Sequence, residues 1–265
     1  MGVILSPSIL GWEKELLYGE RRAEGWINEL LEVGIKDLHI DVMRPPFIPG
    51  KPHFSVEDIA FLHSAFGERV NFDFHLMVKE PYEIMFDITR IIKDPAERSH
   101  TTITIHREAY RFGNQGYTSK ESNLTSPNTG DPILDERLMT CDTYSRILVK
   151  ANLLNIRNLG FNAGLALEPG TPLASLTPSL LSAAEMILLM SVSSGAGGQI
   201  YNPAVTEKIK QAKHLGLPIQ VDGGIHDMNL DEVVSAGADN IVVGSYITSA
   251  GWPERTAKEL YDRLQ

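Results

Sequence analysis

Short apolar runs rich in β-branched residues recur eight times along the chain, and longer amphipathic segments separate them. The predicted strands are 3–7, 37–42, 70–77, 101–106, 163–167, 186–192, 218–222 and 240–244. Strands that alternate with helices pair in parallel, because each connection crosses back over one face of the sheet. Eight such units in 265 residues predict an α/β chain that folds as one (β/α)8 TIM barrel, a single domain over residues 1–265.

One connection departs from this rhythm. Residues 107–142 follow the fourth predicted strand, are rich in Gly, Ser, Asn and Thr, and precede a helix predicted over 143–159. Structureless connections of this length are uncommon and are often functional. Because the segment follows a strand, we expect an insertion loop on the carboxyl face of the barrel, where the active sites of such barrels lie.

Composition restricts the partners of the chain. Its net charge of −10, with both signs interspersed, argues against a nucleic-acid surface. No apolar run is long enough to cross a membrane. The single cysteine, Cys141, permits no intramolecular disulfide and fits a reducing compartment. We therefore expect a cytoplasmic protein that binds neither nucleic acid nor membrane.

The second predicted strand ends in LHIDVMRPPFIPG, residues 38–50, where polar side chains interrupt an apolar run. His39 and Asp41 are two residues apart, so they point to the same face of the strand. Pro45 and Pro46 then end the strand, because proline cannot donate to a central ladder. This pair is therefore expected at the carboxyl end of a strand, at the mouth of the barrel.

Other predicted strands also end in polar side chains. These are Ser8, His75, His106 and Asp222. Imidazoles and carboxylates that face a barrel interior are costly unless they are paired or bind a metal. Two histidines and two aspartates at one mouth predict either a divalent metal site with mixed nitrogen and oxygen ligands or a hydrogen-bonded polar network.

Glycines and methionines occupy the remaining strand ends. The glycine-rich loops contain Gly195, Gly197, Gly198, Gly223, Gly224, Gly244 and the adjacent Ser245. Such loops after neighbouring strands form either a phosphate cup of backbone amides or tight turns. Met43, Met77 and Met190 are either core filler or an apolar wall that excludes water from a reactive intermediate.

Seven blocks of sequence, in their order and spacing, resemble the ribulose-phosphate 3-epimerase family, including its allulose-6-phosphate branch. The blocks are PSIL, HIDVM, FHLMV, ALEPGTPL, LLMSVSSGAGGQ, VDGGI and AGADNIVVGS. The resemblance covers nearly the whole chain outside residues 107–142. It implies a ribulose-phosphate-binding barrel, one divalent metal ion (Zn, Fe, Mn or Co), a phosphorylated ketose substrate, and a homo-oligomer, either a dimer or a hexamer.

The resemblance also implies roles for individual residues. The implied metal ligands are His39, Asp41, His75 and Asp222, and the implied acid and base are Asp41 and Asp222. The implied substrate contacts are Ser8, His75, Gly195, Ala196, Gly197, Gly198, Gly223, Gly224, Gly244 and Ser245, with Met43, Met77 and Met190 as apolar lining. The expected activity is inversion of C3 of a ketose phosphate, of the ribulose 5-phosphate to xylulose 5-phosphate type, through a cis-enediolate.

Two departures from the family bear on the substrate. Arg44 replaces an acidic residue after HIDVM, and it is interpreted either as a solvated loop residue or as a new contact to substrate. Ser193-Ser194-Gly195-Ala196 replaces the usual Asn-Pro-Gly-Phe, and the loss of the aromatic side chain opens the expected pocket. The alternatives are an epimerase for a larger ketose phosphate, such as allulose 6-phosphate, or a non-catalytic sugar-phosphate-binding barrel.

A decarboxylase of related appearance is disfavoured, because its Asp-x-Lys-x-x-Asp motif is missing from the third strand, DFHLMV. The remaining histidines receive lesser roles. His106 is expected to support the site from outside the ligand set. The histidines expected to be solvated are His53, His63, His100, His214 and His226.

Overall fold

Eight parallel strands form the centre of the protein in a computed structural model that describes residues 2–17, 22–50, 52–110 and 132–265. The strands are β1 (Ile4–Pro7), β2 (Asp37–Met43), β3 (Asn71–Met77), β4 (Thr102–His106), β5 (Asn162–Leu167), β6 (Met186–Met190), β7 (Ile219–Asp222) and β8 (Asn240–Val243). Hydrogen-bonded pairs run in the order β1-β8-β7-β6-β5-β4-β3-β2. A parallel bridge between Ser8 and His39 joins the two ends of this series and closes the barrel.

Helices connect the strands and cover the outside of the barrel. They are α1 (Glu13–Leu17), α2 (Arg22–Glu32), α3 (Val56–Phe66), α4 (Tyr82–Ile91), α5 (Pro95–Ser99), α6 (Pro132–Asn158), α7 (Pro178–Leu181), α8 (Ala204–Ala212), α9 (Leu230–Ala236), α10 (Ser245–Thr248) and α11 (Pro253–Leu264). The α3 helix begins with a capping box, in which Ser55 and Asp58 exchange hydrogen bonds between side chain and backbone. The (β/α)8 prediction is confirmed.

Side chains alternate between the two faces of each strand, so the buried residues form one group outside the barrel wall and another inside it. Leu38, Ile40 and Val42 of β2 point outward and are buried beneath the helices. The alternate positions of the strands point into the barrel, where Ala166, Leu188 and Met190 form a small apolar cluster. The polar positions His39 and Asp41 are therefore in the interior, at its carboxyl end.

The predicted boundary of the insertion is wrong at its carboxyl end. The α6 helix begins at Pro132, so residues 132–142 are helical and not part of a loop. Residues 107–110 form a turn directly after β4, and 111–131 lie outside the described residues. A helix that starts without an apolar period, as this one does, gives little signal in a sequence.

Smaller differences concern element ends. The predicted helix over 173–181 is a 3-10 turn, Leu173–Ser175, followed by the short α7. The strand predicted over 186–192 ends at Met190, which leaves residues 191 and 192 in the loop at the mouth. Within the described part of the chain, no helix has the length and apolarity needed to cross a membrane.

Candidate active site

Four ionisable side chains meet at the carboxyl ends of β2, β3 and β7. His39, Asp41, His75 and Asp222 each offer one ligand atom, and these atoms all lie within 4.8 Å of one another. The strand register explains much of this convergence, because Asp41 is paired with His75 and both face inward. The first three side chains are buried, and Asp222 is partly exposed where it lines the cavity at the mouth. The structure brings together the four predicted ligands.

The spacing of these atoms fits a divalent cation. His39 Nε2 lies 3.3 Å from Asp41 Oδ1, and His75 Nδ1 lies 3.2 Å from the same oxygen. The two imidazole nitrogens are 3.4 Å apart. Bonds of about 2.1 Å to a tetrahedral ion would place its ligands about 3.4 Å from one another. Two imidazoles with two carboxylates form a donor set that suits first-row transition metals.

A buried carboxylate orients His39 from behind. Asp73 Oδ2 lies 2.7 Å from His39 Nδ1 and accepts a hydrogen bond of 2.6 Å from Gln220 Nε2. Asp73 on β3 and Gln220 on β7 each precede a ligand by two residues, so they form the next layer inside the barrel. A carboxylate at the second nitrogen of a metal-binding histidine fixes its tautomer and ring orientation.

The other histidine has a different partner. His75 Nε2 lies 2.8 Å from His106 Nε2, and both imidazoles are completely buried. His106 contacts a member of the ligand group without joining it, as expected for a supporting residue. Burial lowers the pKa of His75 to about 4, so this imidazole is neutral, as a metal ligand must be.

The two carboxyl groups have opposite pKa shifts. Burial raises the pKa of Asp222 to about 7, and the negative charge of Asp41 adds to the rise. Burial also opposes ionisation of Asp41, but the charge and hydrogen bond of His39 and the hydrogen bond of His75 outweigh it. They hold the pKa of Asp41 below its usual range. Near neutral pH this pair can supply one base and one acid.

Other predicted site residues surround this group. Ser8 Oγ donates a hydrogen bond of 2.6 Å to Asp41 Oδ2, so the residue predicted to contact substrate also orients a carboxylate. The three methionines Met43, Met77 and Met190 are buried and line the cavity, as predicted for an apolar wall. These apolar side chains line the same cavity as Asp41 and Asp222.

The cavity extends from the ligand group toward the glycine loops and has a volume of about 660 Å³. The predicted phosphate-loop residues all line it: Gly195, Ala196, Gly197, Gly198, Gly223, Gly224, Gly244 and Ser245. Gly223 and Gly224 have left-handed φ angles of +116° and +62°, and a Cβ on Gly224 would overlap the backbone nitrogen of Tyr201. Only glycine fits there, and it leaves backbone amides free to face an anion.

Several lining or supporting residues were not predicted from the sequence. They are Asp73, Gln220, Gln199, His226 and Tyr246. A signal existed for Asp73, since it precedes His75 by two residues in DFH and therefore shares its face. Gln199 fixes the loop after β6 by donating to the carbonyl groups of Ser193 and Ala196 at 2.7 and 2.8 Å. Its partners lie three and six residues away in an irregular loop, which no periodicity reveals.

Of the two interpretations of Arg44, the structure contradicts the solvated loop residue, and the contact to substrate stays a prediction. Its guanidinium is half-buried and donates to the backbone carbonyls of Met43 at 2.7 Å, of Phe54 at 2.6 Å, and of His53. The loop after β2 folds back so that Met43 and His53 pair, which turns these carbonyls toward one point. Arg44 satisfies them and thereby holds the loop at the edge of the mouth.

The predicted exposure of the other histidines is confirmed for His100 and His214. It is wrong for His53 and His63, which are half-buried because carboxylates pair with them, Glu13 at 2.6 Å and Glu97 at 2.8 Å. It is also wrong for His226, which is half-buried, lies 6.0 Å from the ring of Tyr246 and lines the cavity.

Known proteins resemble this chain in sequence and in fold. A model described as the ribulose-phosphate 3 epimerase family matches residues 4–119 and 138–248. The chain is 28% identical over 254 residues to a ribulose-phosphate 3-epimerase of Synechocystis sp., covering 94% of this chain and 88% of that protein. It is also 28% identical over 251 residues to the ribulose-phosphate 3-epimerase of Escherichia coli K12, covering 92% and 88%. The crystal structure of KGPDC from Streptococcus mutans shares the fold, with a TM-score of 0.61, 13% identity, and coverage of 100% and 98%.

Proposed function

Because the chain belongs to the ribulose-phosphate 3 epimerase family, we propose that it is a metal-dependent isomerase that inverts C3 of a ketose phosphate. The observation that carries this proposal is the convergence of Asp41 and Asp222 with two imidazoles within 4.8 Å. Family membership confirms the expected enzyme class. The individual residue roles and the sugar are part of the proposal.

Inversion of a carbon next to a ketone requires a proton to leave on one face and another to arrive on the opposite face. Asp41 comes from β2 and Asp222 from β7, and β1 and β8 lie between these strands around the barrel. The two carboxyl groups therefore approach the cavity from different walls. In our proposal, one removes the C3 proton and the other returns a proton to the opposite face of the cis-enediolate.

His39, Asp41, His75 and Asp222 would hold the divalent cation, with Zn, Fe, Mn and Co as the proposed metals. When bound, the cation supplies positive charge next to the oxygens that become negative as C3 loses its proton. Ser8 holds Asp41 in position by its hydrogen bond of 2.6 Å. The methionine wall limits the access of water to the cis-enediolate, which would otherwise be protonated nonproductively.

The glycine loops bind the phosphate group in this proposal, and ribulose 5-phosphate is its first substrate. A larger ketose phosphate, such as allulose 6-phosphate, is supported by one observation. The loop after β6 presents only small side chains over residues 193–198 to a cavity of about 660 Å³. A pocket lined in this way leaves room for an additional hydroxymethylene group between C3 and the phosphate.

We also propose a homo-oligomer, a dimer or a hexamer, in the cytoplasm. Exposed apolar side chains on the outer helices support self-association, among them Tyr82 at 50% and Ile147 at 58% exposure. Light scattering of the purified protein tests this, and a monomer at micromolar concentration would contradict it.

The activity is tested by turnover of pentulose and hexulose phosphates side by side in deuterated water, with and without a chelator. We expect deuterium at C3 alone and loss of turnover on chelation. Asp222→Asn should abolish exchange while the circular dichroism spectrum stays unchanged, whereas Asp262→Asn, at an exposed carboxylate paired with Lys258, should behave as wild type. Binding of sugar phosphate without exchange would indicate the non-catalytic alternative.

A further inference from the structure

A row of buried polar groups leads away from the metal-ligand group behind His75. His75 Nε2 lies 2.8 Å from His106 Nε2, and His106 Nδ1 lies 3.3 Å from Glu108 Oε2. The exposed fractions of the three residues are 0%, 0% and 7%. Charged and polar groups buried this deeply must satisfy one another, so their protons cannot be placed independently.

The direction of this row follows from the ligand geometry. His75 presents Nδ1 to the ligand group, 3.2 Å from Asp41 Oδ1, so the proton of its neutral ring is on Nε2. Among the residues that the structure describes, the partner of that Nε2–H is His106, whose Nε2 must then be an unprotonated acceptor. The proton of His106 is therefore on Nδ1, which faces the carboxylate of Glu108. Each tautomer thus determines the next.

Glu108 is itself firmly held. Its Oε1 accepts hydrogen bonds from the Thr171 hydroxyl and, at 3.3 Å, from the Glu168 backbone nitrogen, both in the loop after β5. Glu168 adds a second carboxylate 3.6 Å from His106 Nδ1. On the other side, the ring of Phe47 packs against His106 with 4.9 Å between centroids. The imidazole of His106 is fixed from both sides.

We propose that His106 and Glu108 are positioning residues for the metal site: they fix His75 in the Nε2–H tautomer and aim its Nδ1 at the metal position. The inference rests on the proposed function only in taking the four-residue group as a metal site. Asp73 orients His39 by direct contact. Glu108 orients His75 in the same way, but it acts through the imidazole of His106. Supporting partners of this kind typically change metal affinity by roughly 10- to 100-fold.

The test is titration of the metal-free full chain with Co²⁺ alone, with the dissociation constant and the visible absorption spectrum as readouts. His106→Phe keeps a ring of similar volume but removes the acceptor, and it should weaken Co²⁺ binding by roughly 10- to 100-fold. His106→Gln restores an acceptor near the position of Nε2 and should recover most of the affinity. His100→Phe, at an exposed histidine, is the matched control and should bind as wild type.

Equal Co²⁺ affinity in His106→Phe and wild type, or an equal loss in the Phe and Gln variants, would overturn the proposal. If His106→Phe does not fold, Glu108→Gln provides the test. A weaker Co²⁺ affinity and a shifted absorption spectrum in this variant would support the positioning role of His106 and Glu108, and unchanged values would refute it. Since no sugar is present, the result is independent of turnover. Wild-type protein that binds no Co²⁺ would refute the metal site itself, which the proposed epimerase shares.

Discussion

The two halves of the barrel mouth use different parts of the polypeptide. On β2 and β3, buried side chains carry the proposed chemistry, and a second layer of buried side chains holds each of the two histidines. After β6, β7 and β8, the lining is rich in glycine and other small residues, with left-handed backbone at positions such as Gly223 and Gly224. The first half is therefore sensitive to which functional group a residue carries, and the second half is sensitive to a Cβ at positions where the neighbouring backbone leaves no room for it, such as Gly224. Asp222 lies where the two halves meet.

The largest effect is expected at Asp41 in the side-chain half. Asp41→Asn removes a proposed metal ligand and proposed proton-transferring group, so kcat should fall by roughly 10²- to 10⁴-fold or more. Binding of inorganic phosphate, measured by calorimetry, should persist because the glycine half is unchanged. Loss of phosphate binding in this variant would show that the two halves do not act separately.

Gly224→Ala changes the glycine half and leaves the side-chain half unchanged. A Cβ there meets the backbone of Tyr201, and φ is +62°, so the loop must move. When the loop moves, the phosphate group should lose a hydrogen bond from the backbone of this loop. Loss of a hydrogen bond to a charged group costs about 1.5–3 kcal/mol, so KM for the sugar phosphate should rise by roughly 10- to 150-fold. Co²⁺ affinity should not change.

Gly197→Ala is the control for that experiment, because its φ is not left-handed and nothing lies within 4 Å of the added Cβ. Steady-state kinetics of both variants give the comparison. An equal rise in KM for the two would mean that the glycines serve through small size alone and not through backbone conformation.

A smaller effect is expected one layer below the ligands. Asp73→Asn keeps the shape of the side chain but weakens its hold on His39, so Co²⁺ affinity should fall by roughly 10- to 100-fold. Titration with Co²⁺ measures this. The KM for sugar phosphate at saturating metal should remain near the wild-type value, and a large rise in KM would contradict the separation of the halves.

The smallest effect is expected at Ala196 in the glycine half. Ala196→Phe adds an aromatic side chain at the exposed edge of the cavity. The ratio of kcat/KM for pentulose over hexulose phosphate should rise, by less than the roughly tenfold that one methylene group is worth in a closed pocket. A ratio that stays constant would show that this loop does not select the substrate.

The sequence predicted the barrel and the convergence of the ligands because both depend on periodicity. A period of two places His39 beside Asp41, and the carboxyl ends of parallel strands share one edge. The same rule applied to DFH would have found Asp73. Contacts made through irregular segments could not be found in this way. Arg44 binds carbonyls that a folded loop presents, and the partners of His53 and His63 lie 40 and 34 residues away in the chain.

Closure of the barrel through Ser8 and His39 has a consequence for biosynthesis. The Ser8 backbone amide also donates to the carbonyl of Val243 on β8 at 3.0 Å, and Asp73, which supports His39, accepts from Gln220, 147 residues later. A nascent chain on the ribosome therefore carries three of the four proposed ligands long before the fourth, in a sheet whose edges are still unpaired. In the proposed metal site, the ion would therefore bind only after the fourth ligand has been synthesised and the barrel has closed, and cells starved of metal should accumulate a folded barrel with an empty site.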